Sequence, residues 1–280
     1  MLKLTKINNL KFYYRSNDRY IGQRIALDKY EKYETALLLS QINKNSVCVD
    51  VGANIGYYTL LMAKRVKKVY AFEPDKKCFE ILKKNVEENN LKNVVLINKA
   101  ASDKEGEKFF EISKNNFGDN RINSPPTPSL NKACAIHYIK LNTCLLNDVL
   151  KNEQKISLIK IDTQGWEPQV VLGAKKIINR DKPTLFLEYT PTDYKDKKMI
   201  NFLEKVYSDI FSINDFAEVP WPIDKGIKIR ANGYCDLFLK ERMRMTDYWI
   251  ILKNVNYKKW VKGIINYGNN KTNWSSRDFG

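Results

Sequence analysis

Histidine occurs once in this 280-residue chain, at His137, and the five cysteines (Cys48, Cys78, Cys134, Cys144 and Cys235) include no CxxC pair. That composition argues against a zinc centre, which needs three or four His, Cys or acidic ligands at set spacings. An odd count without paired spacing also argues against a disulfide framework and points to reduced thiols in the cytoplasm. Long apolar runs are missing. The longest stretch free of Asp, Glu, Lys and Arg, Val51–Ala63, is 13 residues long and is broken by Gly52 and Gly56. A membrane span needs about 20. The opening residues, MLKLTKINNLKFYYR, keep returning to charge, so no secretory leader is read there. Disorder as the main state is excluded, because 43% hydrophobic and 29% charged residues are ordinary for a chain with a core.

Arginine is scarce among the bases: ten of 48, with a net charge of +16. Arginine is the side chain suited to bidentate phosphate recognition. Lysine scattered along the whole chain reads as compositional drift more than as a nucleic-acid groove, whose footprint clusters. The excess still suits an acidic partner or an anionic membrane surface.

From Ser46 the chain alternates apolar runs with helical periodicity. SVCVDV (46–51), KVYAFE (68–73), NVVLIN (93–98), ISLIKID (156–162) and PTLFLEY (183–189) are predicted strands. Residues 55–64, 75–90, 168–178 and 196–207 are predicted helices, the second with Phe79, Leu82 and Val86 on its apolar face. Alternation of this kind predicts a mostly parallel α/β sheet with helices on both faces. EKFFEI (107–112) and a late YCDLFLK (234–240) are further strands. Residues 115–131, rich in Pro, Asn and Ser, read as a long loop in which Asp119, Asn120 and Arg121 could cap a pocket. After Lys240 the chain turns basic and aromatic, with three of the five tryptophans, and Tyr257–Ile265 has the spacing of one helix face. This extension suits a packed helix, a dimer contact, a membrane-surface helix or an RNA-stacking element.

Chemistry concentrates in two segments. In VDVGANIGYYT (49–59) an acid closes a buried strand and glycines open a helix, whose free N–H groups and close backbone approach suit a ligand. The pattern is not the GxGxxG of dinucleotide folds. Glu73 ends the next strand, 23 residues after Asp50, about the spacing at which such folds set an acid against ribose hydroxyls. In LIKIDTQGWE (158–167), strand alternation puts Lys160 and Asp162 on one face, with Asp162 at the C-terminal edge. Glu188 ends the following strand at the same edge. His137 reads as packed or exposed rather than as a base.

The DxGxNxG arrangement resembles motif I of the class I S-adenosylmethionine-dependent methyltransferases. Together with VYAFEP, NKAASDKEG, IKIDTQGWE, GAKKII and FLEY, and with DKYEKYET (28–35) upstream, it resembles the FkbM methyltransferase family, over roughly Asp18 to Lys240. The resemblance implies a Rossmann-like methyltransferase domain over 46–240, a lead-in and capping segment over 1–45, a C-terminal extension over 241–280, and a late antiparallel strand. It implies S-adenosyl-L-methionine as cofactor. Asp50, Gly52, Asn54 and Gly56 would hold its amino acid end, Glu73 its ribose, and Ser102 and Asp103 its adenine, unless these last two form only an ordinary turn. It further implies O-methylation of a sugar, glycan or glycosylated small molecule. Asp162 would serve as base or orienting group, Lys160 would tune it, and Glu167 and Glu188 would bind sugar hydroxyls. Cap or ribose 2′-O-methylation of RNA is the alternative, although the Lys-Asp-Lys-Glu tetrad of such enzymes is not found. Gln164 departs from the Glu that many members carry there, which bears on acceptor identity.

Overall fold

The computed structural model describes residues 1–113, 118, 120–123, 137–189, 198–207, 209–213 and 248–253. The chain opens on an antiparallel hairpin, β1 (Leu2–Ile7) and β2 (Leu10–Arg15). Asn8 and Asn9 turn it, both at positive φ, as asparagine tolerates in two-residue hairpin loops. Two short helices follow, α1 (Gly22–Ala26) and α2 (Lys32–Leu39). Next come β3 (Val47–Val51), α3 (Tyr57–Ala63), β4 (Lys68–Phe72), α4 (Lys76–Glu88) and β5 (Val94–Ile97). A small separate sheet contains β6 (Ala100–Ala101), β7 (Gly106–Ile112), β8 (Arg121–Ile122) and β9 (His137–Cys144), in the order β6-β9-β7-β8. The chain then runs through α5 (Leu146–Val149), β10 (Leu158–Ile161), α6 (Glu167–Gly173), α7 (Lys175–Asp181), β11 (Thr184–Tyr189), α8 (Lys198–Val206), β12 (Asp209–Ile213) and β13 (Tyr248–Lys253).

The main sheet has the order β12-β13-β11-β10-β3-β4-β5. Its five strands from β11 to β5 are parallel, and β13 is antiparallel to β11 and β12. From β3 the chain steps outward to β4 and β5, then returns to the other side of β3 with β10 and β11. The strand order therefore reverses between β3 and β10. In open α/β sheets, ligands bind at such a switch point, beyond the carboxyl ends of the strands.

Alternation sorts the two faces. Val47, Val49, Val51, Ile159 and Ile161 belong to one core cluster with the residues of α5–α8. Cys48 and Leu158 belong to the other cluster, with β2 and α1–α4. Asp50 and Lys160 are register partners on that second face, so a carboxylate and an ammonium are buried where neighbouring positions are apolar.

Helix α4 shows how the N-terminal hairpin is attached. Asp75 caps it, accepting from the Lys77 amide at 2.7 Å. Cys78, Ile81, Leu82 and Val86 form its buried face, with Phe79 at the rim rather than at the centre. Asn85 and Asn89 then act as backbone substitutes for the edge strand β2. The Tyr13 amide donates to Asn85 Oδ1 (2.6 Å) and Asn85 Nδ2 donates to the Tyr13 carbonyl (3.1 Å). Asn89 repeats the exchange with Lys11. Asn85 Nδ2 also donates to the Ile55 carbonyl at 2.8 Å, so one amide joins hairpin, helix and the loop after β3.

Some sequence expectations shift. The helix expected over 168–178 is two helices meeting at Ala174, whose backbone (φ −103°, ψ 2°) leaves the helical region. The expected long loop contains the short strand β8. His137 opens β9 and is exposed. The strand expected at 234–240, the helix at 257–265 and Asp119 lie outside the described residues. The antiparallel strand found is 248–253, within the segment expected as an extension. Among the described residues, no helix is long and apolar enough to cross a membrane, and Cys48, Cys78 and Cys144 are free and buried.

Candidate active site

A cavity of about 320 Å³ opens at the switch point. Its first wall is backbone. The chain leaves β3 with Gly52 (φ 77°), Asn54 (φ 50°) and Gly56 (φ 94°), all in the left-handed region. A Cβ at Gly52 would stand 1.8 Å from the Asp162 carbonyl oxygen, so only glycine permits the β3 and β10 exits to touch. Gly52 and Ala53 amides both donate to the Phe72 carbonyl (3.0 Å each). Glu73 closes this wall. Its carboxylate accepts from the Asn54 amide (2.7 Å) and the Asp75 amide (2.8 Å). Burial, opposed by these two amides, pushes its carboxyl up to about 8. Ala100, Ala101, Phe110 and Trp166 line the cavity nearby. Asn120, just before β8, also lines it and donates to Asp75 Oδ2 at 2.9 Å.

The second wall is made of side chains. Gln164 Nε2 donates to Asp162 Oδ1 (3.0 Å) and to Glu188 Oε2 (2.8 Å). Lys160 Nζ lies 3.2 Å from Asp162 Oδ2, 3.2 Å from the Gly52 carbonyl, 3.5 Å from Asp50 Oδ1 and 5.3 Å from the centre of the Tyr58 ring. Burial works to lower the Lys160 pKa, but the charges of Asp162, Asp50 and Glu31 outweigh it and hold the ammonium charged. Burial likewise works to raise Asp162, and Lys160 with the Glu188 and Gln164 contacts brings it below the usual carboxylate range. Glu31, from the N-terminal segment, completes this wall and accepts from the Tyr58 hydroxyl at 2.7 Å. Burial and the charge of Asp162 push its carboxyl up to about 7, against the pull of Tyr58 and Lys160.

Of the expected site residues, Gly52, Asn54, Glu73, Lys160, Asp162 and Glu188 line the cavity. Asp50 does not. It is fully buried beneath the loop, accepts from the Thr59 hydroxyl (2.6 Å) and faces Lys160, so it supports the loop from below. Gly56 caps α3, and a Cβ there would meet Leu82 at 2.5 Å. Ser102 and Asp103 stand behind the wall. Ser102 accepts from the Trp166 indole at 3.2 Å, and its carbonyl packs on Gly173. Glu167 is fully buried and gathers the Thr163 amide and hydroxyl and the Gly165 amide (2.7, 2.9 and 3.0 Å). It shapes the turn that aims Gln164 rather than facing a ligand. Glu31, Tyr30, Tyr58 and Trp166 were not singled out from sequence. Glu31 and Tyr30 sit in DKYEKYET, where no spacing separates a site acid from a surface one.

A reversed parallel sheet, a glycine loop at the switch point and a ribose-spaced acid define a class I methyltransferase fold. The methyltransferase FkbM domain model matches residues 50–216, more than half of the chain. The chain therefore belongs to the FkbM methyltransferase family. It is also similar to "Probable ribosomal RNA small subunit methyltransferase A" of Pyrococcus abyssi, 35% identical over 81 residues, or 29% of each protein. A second relative is "Probable cobalt-precorrin-6B C(15)-methyltransferase (decarboxylating)" of Methanocaldococcus jannaschii. It is 33% identical over 130 residues, covering 46% of this chain and 67% of that protein. The chain spans under a third of the length of the ribosomal RNA methyltransferases it matches. Among solved structures, the methyltransferase FkbM of Methylobacillus flagellatus KT aligns over 76% of this chain and 44% of its own, at 13% identity and a TM-score of 0.45.

Proposed function

We propose that the protein methylates a hydroxyl of a sugar, a glycan or a glycosylated small molecule. The observation that carries this reading is the acid-and-amide wall of Glu31, Asp162, Gln164 and Glu188 facing the glycine loop. Carboxylates accept several hydroxyl protons and an amide both donates and accepts, which suits a polyol. A polyanion would meet mostly negative groups there.

The residues present fit the donor. The Gly52–Ile55 backbone would cradle it, and Glu73 would accept from its ribose hydroxyls through the lone pairs its two amide partners leave. When bound, S-adenosyl-L-methionine supplies an electrophilic methyl on sulfur. The chain does the rest by positioning, an effect worth on the order of 7–11 kcal/mol. Asp162, kept ionised by Lys160, orients the acceptor hydroxyl, and Glu188 binds a neighbouring one. The cytoplasm supplies donor and acceptor.

RNA methylation is the second reading, motivated by the 81-residue match to a ribosomal RNA methyltransferase and the net charge of +16. A labelled-methyl transfer screen over methyl glycosides, nucleotide sugars and short RNAs decides between them. Label is expected in the glycosides or nucleotide sugars; label in RNA alone overturns the proposal.

A further inference from the structure

Glu31 stands out among the acids of the second wall. It comes from the segment before β3, well outside the two sequence stretches that carry the fold's chemistry. Its backbone has φ 38° and ψ 48°, the left-handed region, at the residue preceding α2. A non-glycine residue held there costs about 1–3 kcal/mol and persists only where surrounding structure imposes it. Here the conformation accompanies a carboxylate that lines the cavity and accepts from Tyr58 on α3. Asp162 is differently placed. Both Asp162 oxygens already accept, from Lys160 and Gln164, and the adjacent ammonium makes Asp162 a weak proton acceptor.

From this placement, and resting on the hydroxyl-methylation reading above, we infer that Glu31 is the general base of the reaction. As the acceptor oxygen bonds to the methyl carbon, the carbon–sulfur bond breaks with its electron pair going to sulfur. The hydroxyl proton passes to the Glu31 carboxylate and leaves to water after product departs. Asp162 orients and Glu31 deprotonates, so the two acids divide the work.

The groups facing Glu31 are Tyr30 beside it, Glu34 on α2, Tyr57 and Tyr58 on α3, Lys160 on β10 and Asp162 after it, while Glu188 on β11 faces Tyr30. Burial and the acids raise its titration, and Lys160 and Tyr58 lower it. A midpoint of about 7 leaves the base half-ionised near neutral pH, which suits proton transfer.

The test compares the full-length protein with Glu31→Gln, which keeps an acceptor for the Tyr58 hydroxyl. Carboxyl-labelled glutamate followed by NMR should show one midpoint near 7 that is missing in the variant. S-adenosylmethionine, whose sulfonium is cationic, should release more protons on binding at pH 7 than S-adenosylhomocysteine does, and Glu31→Gln should reduce that difference to the share that Glu73 supplies. The variant should bind S-adenosylhomocysteine within twofold of the parent. Transfer to the acceptor found by the screen should fall about 10²–10⁴-fold, and its acid limb should disappear. Absence of the midpoint between pH 6 and 8, an unchanged proton difference in the variant, or transfer within threefold of the parent overturns the inference. Absence of S-adenosylhomocysteine binding to the folded parent overturns the methylation reading instead.

Discussion

The two walls of the cavity are built from different materials. The wall proposed to hold the donor is mainly backbone: a loop with three left-handed residues from one strand end, closed by a carboxylate that two amides already hold. The wall proposed to hold the acceptor is side chains brought from residues 31, 160–164 and 188 and tied to one another by Lys160 and Gln164. A backbone wall recognises what is common to every turnover. A side-chain wall can be altered residue by residue without disturbing the loop, which is where acceptor choice can vary within one fold.

Lys160 is the link between the walls, so removing it should have the largest effect. Lys160→Met leaves the buried Asp50 and the half-buried Asp162 without their cation, which should cost about 3–5 kcal/mol of stability. Urea unfolding would measure this, and a loss below about 1 kcal/mol would show that water or relaxation replaces the ammonium. Gly52→Ala should act first on the glycine loop. Its Cβ would strike the Asp162 carbonyl, and the strained φ adds about 1–3 kcal/mol. Calorimetry should show S-adenosylhomocysteine affinity reduced at least tenfold, whereas unaltered affinity would mean the loop can shift freely.

Stability should also depend on pH. Glu73 titrates at about 8 in the folded protein, above its ordinary 4.5. Between those values the folded state binds the extra proton, so stability declines as pH rises from about 4.5 to about 8, by at most about 1.4 kcal/mol per unit. Glu31, raised to about 7, contributes in the same direction over a narrower window. Glu73→Gln should flatten the decline in thermal midpoints across pH 5–8; an unchanged slope would place the titration elsewhere.

The donor wall was legible because its geometry demands particular residues. Glycines at 52 and 56 and an acid at 73 are spacing signals, and the central strands announce themselves as apolar runs. Asp50 was legible as a position but not as an environment: its carboxylate faces inward to Lys160, a fact that depends on pairing strands over 100 residues apart. Ser102, Asp103 and Glu167 sit near the site in sequence, yet their side chains face Trp166, each other and the Thr163–Gly165 turn. The N-terminal hairpin was missed although Asn8-Asn9 is a turn signal, because its strands alternate with lysines and are only two. Glu31 was illegible since nothing local distinguishes it from Glu34. The distinction arises only when α2 packs against α3.

The Asp50–Lys160 rung also says something about how the chain finds its fold. β3 and β10 are far apart in sequence and both are short and apolar, so hydrophobicity alone would tolerate sliding one past the other. A slip by a single residue would turn Lys160 to the face of Val49, Val51 and Ile159, with no carboxylate to meet it. The pair that prepares the chemistry thus doubles as a registration pin, and the sheet cannot assemble at its centre without assembling the site.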